Sequence, residues 1–138
     1  MSGVHVARLK RRARAFLAEA EEASDPDLAM FFLEQAAQLY IKSVYYELFG
    51  APLRGHGLRE LLGILSKALS DAGYDAEADT VMEYVAKRRR ILAVLELAYT
   101  AARYGDTDYD WNNVRAALEA VKELIGLLDR VAGRVKLG

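Results

Sequence analysis

The residues from Asp27 to Phe49, DLAMFFLEQAAQLYIKSVYYELF, constrain this chain more than any other stretch. They read as one helix of about six turns. It is apolar almost all the way round, and such a helix must be covered by neighbours on several sides. Ala29, Phe32, Leu33, Ala36, Ala37, Tyr40, Val44 and Leu48 recur at helical spacing along one face. The few polar residues are ordered. Glu34, Gln38 and Lys42 stand four apart and form one narrow stripe, with Gln35 beside it and Tyr45 and Phe49 prolonging it. A stripe of this kind turns either to water or to a site, and water is the simpler expectation.

The flanking segments supply the cover. Val6 to Ala23 reads as a first helix with Val6, Leu9, Ala13, Phe16, Leu17 and Ala20 inward. Arginines and a lysine crowd its first half (Arg8 to Arg14) and glutamates its second, an order that opposes the helix dipole. Pairing along a solvated face compensates for this, or a phosphate (as in a nucleic-acid arm) or an acidic partner does. Asp25 is suited to cap the second helix with Pro26 at its first position, and Gly50 to end it. Gly50 to Gly57 is loop. Leu58 to Ala72 reads as a third helix, stopped by Gly73.

Asp75 to Ala102 reads as a single long helix with a basic run, Lys87-Arg88-Arg89-Arg90, at its middle. Successive helical residues point around the whole circumference, so at least one of these cations lies near the core and needs a carboxylate or a ligand. Asn112 to Val135, capped by Asp110, carries a nearly heptad apolar stripe from Val114 to Val135. No strand alternation, internal repeat or linker is evident. The expected fold is a single all-α domain over residues 1–138: an up-and-down antiparallel helical bundle of four main helices plus a shorter helix.

Composition narrows the chemistry. The chain has 138 residues, no cysteine and only two histidines, His5 and His56, so no metal site and no cofactor are expected. P-loop, GxGxxG, HExxH and GxSxG patterns are absent. A net charge of −1 sets up no global attraction to nucleic acid, and only local basic patches count. No apolar run approaches the roughly 18 residues of a membrane span, and the N-terminus lacks an apolar signal core. The expectation is a cytoplasmic protein without a membrane partner. Phe31, Tyr45, Tyr46 and Phe49 are expected to form an aromatic surface that a homodimer closes.

The remaining chemistry sits at helix ends: Lys42, His56, Arg103, Tyr104 and Asp106. Together they suit an anion-binding cleft. Lys42 and Arg103 supply fixed charge, and Arg103 is suited to a bidentate phosphate contact. The helix start after His56 offers free amide donors. No residue is assigned a catalytic role. Capping for His56, dipole pairing for Arg103 and snorkelling for Lys42 are the plain alternatives.

Several of these segments carry a resemblance to a known family. Ala13-Arg14-Ala15-Phe16-Leu17, Glu34-Gln35-Ala36-Ala37-Gln38-Leu39-Tyr40-Ile41-Lys42, Gly55-His56-Gly57-Leu58-Arg59-Glu60-Leu61-Leu62 and Tyr99-Thr100-Ala101-Ala102-Arg103-Tyr104 follow one another in the order of the HEPN domain, as does the final helix with Ala116-Ala117. The similarity runs from about Arg8 to Arg134. It implies a helical bundle, usually dimeric, that handles nucleotide or RNA. Many HEPN members are RNA-cleaving toxins of toxin–antitoxin pairs, and others accompany a minimal nucleotidyltransferase. The RNase members carry an Arg, four to six residues, then a His. Here no Arg lies five to seven positions before His56, and no His follows Arg103. Arg103-Tyr104-Gly105-Asp106 resembles instead the Arg-Tyr-Pro-Asp stretch of non-toxin members. The resemblance therefore implies a non-catalytic nucleotide- or RNA-binding protein with a nucleotidyltransferase partner. A HEPN endoribonuclease and a purely structural helical dimer are the alternatives.

Overall fold

The computed structural model describes residues 2–104 and 108–138, with side chains described for 3–101 and 108–138. Among the described residues there are six α-helices and no strand: α1 (Ser2–Glu22), α2 (Pro26–Phe49), α3 (Leu58–Asp71), α4 (Asp75–Lys87), α5 (Arg89–Tyr104) and α6 (Trp111–Leu137).

Local chemistry sets the helix ends. The Asp25 carboxylate accepts the Asp27 N–H at 2.9 Å, and Pro26, which has no N–H to lose, opens α2. At the far end Gly50 takes φ 68°, a left-handed conformation that glycine adopts without strain, and its N–H reaches the Tyr46 carbonyl. Asp110 and Asn113 exchange reciprocal hydrogen bonds of 2.9 and 3.0 Å to begin α6.

Helix α2 is the hub and touches α1, α3, α5 and α6. Its apolar circumference is thereby covered. Lys10–Glu47, Arg14–Tyr40 and Phe16–Phe32 pair rising numbers in α1 with falling numbers in α2, so these two helices are antiparallel. Tyr40–Asp129 and Glu47–Lys136 show α6 running with α2. Tyr84 donates to the Ala120 carbonyl, and Tyr109 to that of Val94, which sets α4 and α5 antiparallel to α6. Four rods (α1, α2, α4 with α5, and α6) thus alternate in direction, and α3 is the shorter addition.

One apolar cluster joins all six helices. Leu33, Ala36, Ala37, Tyr40, Leu92, Leu95, Val121, Leu124 and Leu128 are fully buried in it, as their inner-stripe positions predict. Tyr40 keeps its hydroxyl satisfied inside the bundle. It accepts from Arg14 at 3.0 Å and donates to Asp129.

Two expectations need correction. The predicted continuous helix Asp75–Ala102 divides at Arg88, whose φ and ψ are −105° and 16°. Hydrogen bonds from Arg88 N–H to Tyr84 and from Leu92 N–H to Arg88 persist through the division, so the rod bends rather than ends. Neither proline nor glycine marks the place. Arg88 is the cation of the basic run that turns inward, and Glu123 receives it at 2.6 Å, as the circumference argument requires. The second correction concerns the aromatic surface. Phe31, Tyr45, Tyr46 and Phe49 are all partly buried within the chain. Tyr46 packs edge-on against His5, Tyr45 against Phe49, and Phe31 against Phe32. Only Tyr46 meets α1 there; the other two contacts lie within α2, so the four rings are partly covered rather than fully exposed.

Candidate functional site

The polar stripe of α2 does not face water. Glu34 is fully buried and Gln38 nearly so, while Lys42 is half-buried. The three residues form a hydrogen-bonded chain. Lys42 Nζ donates to Gln38 Oε1 at 3.1 Å, and Gln38 Nε2 donates to Glu34 Oε2 at 2.8 Å. Gln35 Nε2 takes the other Glu34 oxygen at 2.7 Å. Spacing by one helical turn is what lets each amide reach its neighbour. Burial pushes the Glu34 carboxyl up to about 7, against the lowering effect of the two amides and the Lys42 charge, and the nearby Glu96 charge adds to the rise. Burial likewise lowers the pKa of the Lys42 amine. No buried side-chain donor or acceptor among the described residues lacks a partner, so the network is fully satisfied.

Glu96 links this stripe to the start of α3. Its carboxylate accepts the Arg59 backbone N–H at 3.1 Å and the Arg59 guanidinium at 2.8 and 3.1 Å. Sequence reasoning expects free amides at this helix start, but one of them is already taken by an internal carboxylate. Neither Arg59 nor Glu96 stands among the site residues read from the sequence. The available signal was that Glu96 is the lone acid of α5.

One turn beyond Glu96, Tyr99 meets His56. Their rings lie parallel within 5° at a centroid separation of 4.4 Å. His56 is exposed and Tyr99 partly buried, so the pair presents an aromatic surface beside the start of α3. The preceding Gly55 has φ 113°, a conformation that L side chains rarely adopt, and this turn aims His56 at α5.

The structure therefore gives Lys42 and His56 separate partners. Lys42 is engaged by Gln38 and His56 by Tyr99, and no hydrogen bond joins the two. Arg103 and Tyr104 close α5 in the chain, but their side chains, together with Asp106, lie outside the described residues. Among the described residues no group of three His, Cys, Asp or Glu side chains is disposed to hold a metal ion. Nor is any helix long and apolar enough to cross a membrane.

No curated protein and no solved structure matches the chain. A family model does: the HEPN domain, over residues 6–131. That span takes in most of α1 and α6 and everything between, including the Glu34–Lys42 stripe and the His56–Tyr99 stack. The chain belongs to the HEPN domain family.

Proposed function

We propose that residues 1–138 form one HEPN domain that binds nucleotide or RNA without cleaving it, acts as a homodimer and pairs with a minimal nucleotidyltransferase. The observation that carries the binding reading is the exposed His56 ring stacked flat on Tyr99. A nucleobase adds to such a stack through its π-face, with no need of sequence-specific contacts. Lys42 and Arg103 are the proposed cations of the site, and Tyr104 and Asp106 its further ligand-binding residues. Partial burial of Lys42 strengthens its attraction for a phosphate. Membership of the family supports the homodimer.

Against cleavage stands the sequence itself. The Arg-to-His spacing of RNase members is missing on both sides, at His56 and after Arg103.

The test is titration of AMP and of a short single-stranded RNA into wild type, Arg103→Lys and His56→Ala at low and high salt. Both variants are expected to bind more weakly, Arg103→Lys because a bidentate contact is lost while charge is kept. Equal affinity in all three proteins removes the site. Metal-independent RNA cleavage by wild type, abolished in His56→Ala, replaces this reading with the endoribonuclease. Light scattering at micromolar concentration tests the dimer, and co-purification with mass spectrometry tests the nucleotidyltransferase partner.

A further inference from the structure

The bend between α4 and α5 opens a groove of about 730 Å³ whose walls include Arg59, Lys87, Arg89 and Arg90, with Ala93 and Val94 as small apolar contacts. Its volume lies within the range of about 300–1,000 Å³ common to ligand sites. A second groove of about 360 Å³ shares Lys87, Arg90 and Val94 with the first and continues to Asn113 on α6. The two together make an elongated basic channel across the bend.

The cations of this channel differ in how they are held. Lys87 is paired with Glu123 at 3.0 Å, and Arg59 with Glu96 at 2.8 Å. Arg89 and Arg90 are exposed and have no carboxylate partner among the described residues. They stand just past the bend, in a rod whose backbone hydrogen bonds continue from α4 into α5. A chain of net charge −1 has acids enough to neutralise them, yet none is placed there. Two guanidinium groups without a carboxylate partner, on the wall of an open groove, are free to take an external anion.

We propose that this channel is a backbone track for single-stranded nucleic acid, leading past Arg59 from the His56–Tyr99 stack to Arg89 and Arg90. It rests on the reading of that stack as a base platform. Arg59 ties the two parts together, since it lines the groove and follows His56 by three residues. Arg89 and Arg90, as separate cations on one groove wall, would engage successive phosphates of a polymer. The His56–Tyr99 stack, whose His56 stands three residues before Arg59, favours nucleic acid over an acidic peptide, which has no bases to stack. Guanidinium forks suit phosphate oxygens.

The experiment compares wild type, Arg89→Ala/Arg90→Ala and Arg89→Lys/Arg90→Lys, all checked for unchanged helical circular dichroism. The probes are AMP, ten-nucleotide single-stranded RNA and DNA of one sequence, and an oligoglutamate of equal charge. In wild type the oligonucleotide binds more tightly than AMP, and its affinity falls with salt. In the double alanine variant the slope of log affinity against log salt is expected to shrink by about 1.4, two phosphate contacts at about 0.7 each. AMP affinity is expected to stay unchanged, and the double lysine variant to keep most of the slope. An unchanged slope in the alanine variant overturns the track even where AMP binding persists and is lost in His56→Ala. A reduced slope with no AMP binding by wild type supports the track and removes the base-platform reading. Oligoglutamate binding as tightly as either oligonucleotide overturns the nucleic-acid assignment in favour of an acidic protein segment. The RNA and DNA arms decide between the two sugars.

Discussion

Glu96 holds Arg59 at three points, accepting from its backbone N–H at 3.1 Å and from its guanidinium at 2.8 and 3.1 Å. One carboxylate thus serves as cap for α3 and as clamp between α3 and α5. Gly57, at the N-cap position, has no side chain to do the first task. The two roles predict an effect larger than that of an ordinary surface ion pair. Glu96→Ala is expected to lower stability by about 1–2 kcal/mol, the sum of a lost cap and a lost partly exposed pair. Urea unfolding checks this. A loss no larger than that of Lys67→Ala, which breaks only the exposed Lys67–Asp71 pair, would show that the clamp is idle.

Glu34 makes stability depend on pH. Its carboxyl is pushed up to about 7 by burial, against an ordinary value near 4.5. The folded state therefore holds this proton more tightly than the unfolded state does. By linkage, its contribution is fully present below about 4.5 and is lost as pH rises to about 7. The groups facing it are Gln35, Gln38, Lys42 and Glu96. Wild type is expected to lose on the order of 2–3 kcal/mol relative to Glu34→Gln across that window. Glu47 and Glu123 have lowered values and act in the opposite sense, on the acid side. Thermal melts from pH 4.5 to 7.5 (about the same window) provide the check, and parallel curves for the two proteins refute it.

Leu95 tests the core. It is fully buried on α5, where the rod meets α2 and α3. Leu95→Ala is expected to cost about 2–5 kcal/mol through lost burial and a residual cavity. A denaturation midpoint equal to that of wild type would contradict the packing described.

Gly55 connects backbone conformation to the site. At φ 113° any side chain is strained, although an added Cβ would meet Leu61 at an ordinary 3.6 Å. Gly55→Ala is therefore expected to cost about 1–3 kcal/mol from backbone strain rather than from a clash. It should also disturb the His56–Tyr99 stack and weaken AMP binding. Unaltered stability and affinity together would mean that the loop adjusts without consequence for His56.

Much of the bundle was legible in the residue order alone. Asp25, Pro26 and Gly50 bound α2 through their own backbone and capping preferences, and such signals are local. The nearly all-apolar circumference of α2 demanded neighbours on several sides, because the hydrophobic effect acts on any exposed face regardless of what covers it. The inner stripes and the inward cation of the basic run followed from helical periodicity, and the HEPN pattern from residue types in order. What tertiary structure alone decided was the fate of side chains at junctions. Periodicity places Glu34, Gln38 and Lys42 on one stripe but does not say whether that stripe meets water or another helix. It is buried, with Glu96 of α5 nearby, and that burial raises the Glu34 carboxyl. The partly buried aromatics of α2, the bend at Arg88 and the Arg59–Glu96 clamp have the same origin. Each depends on which helices lie side by side, and that choice is made by the packing of the entire core rather than by any short run of sequence.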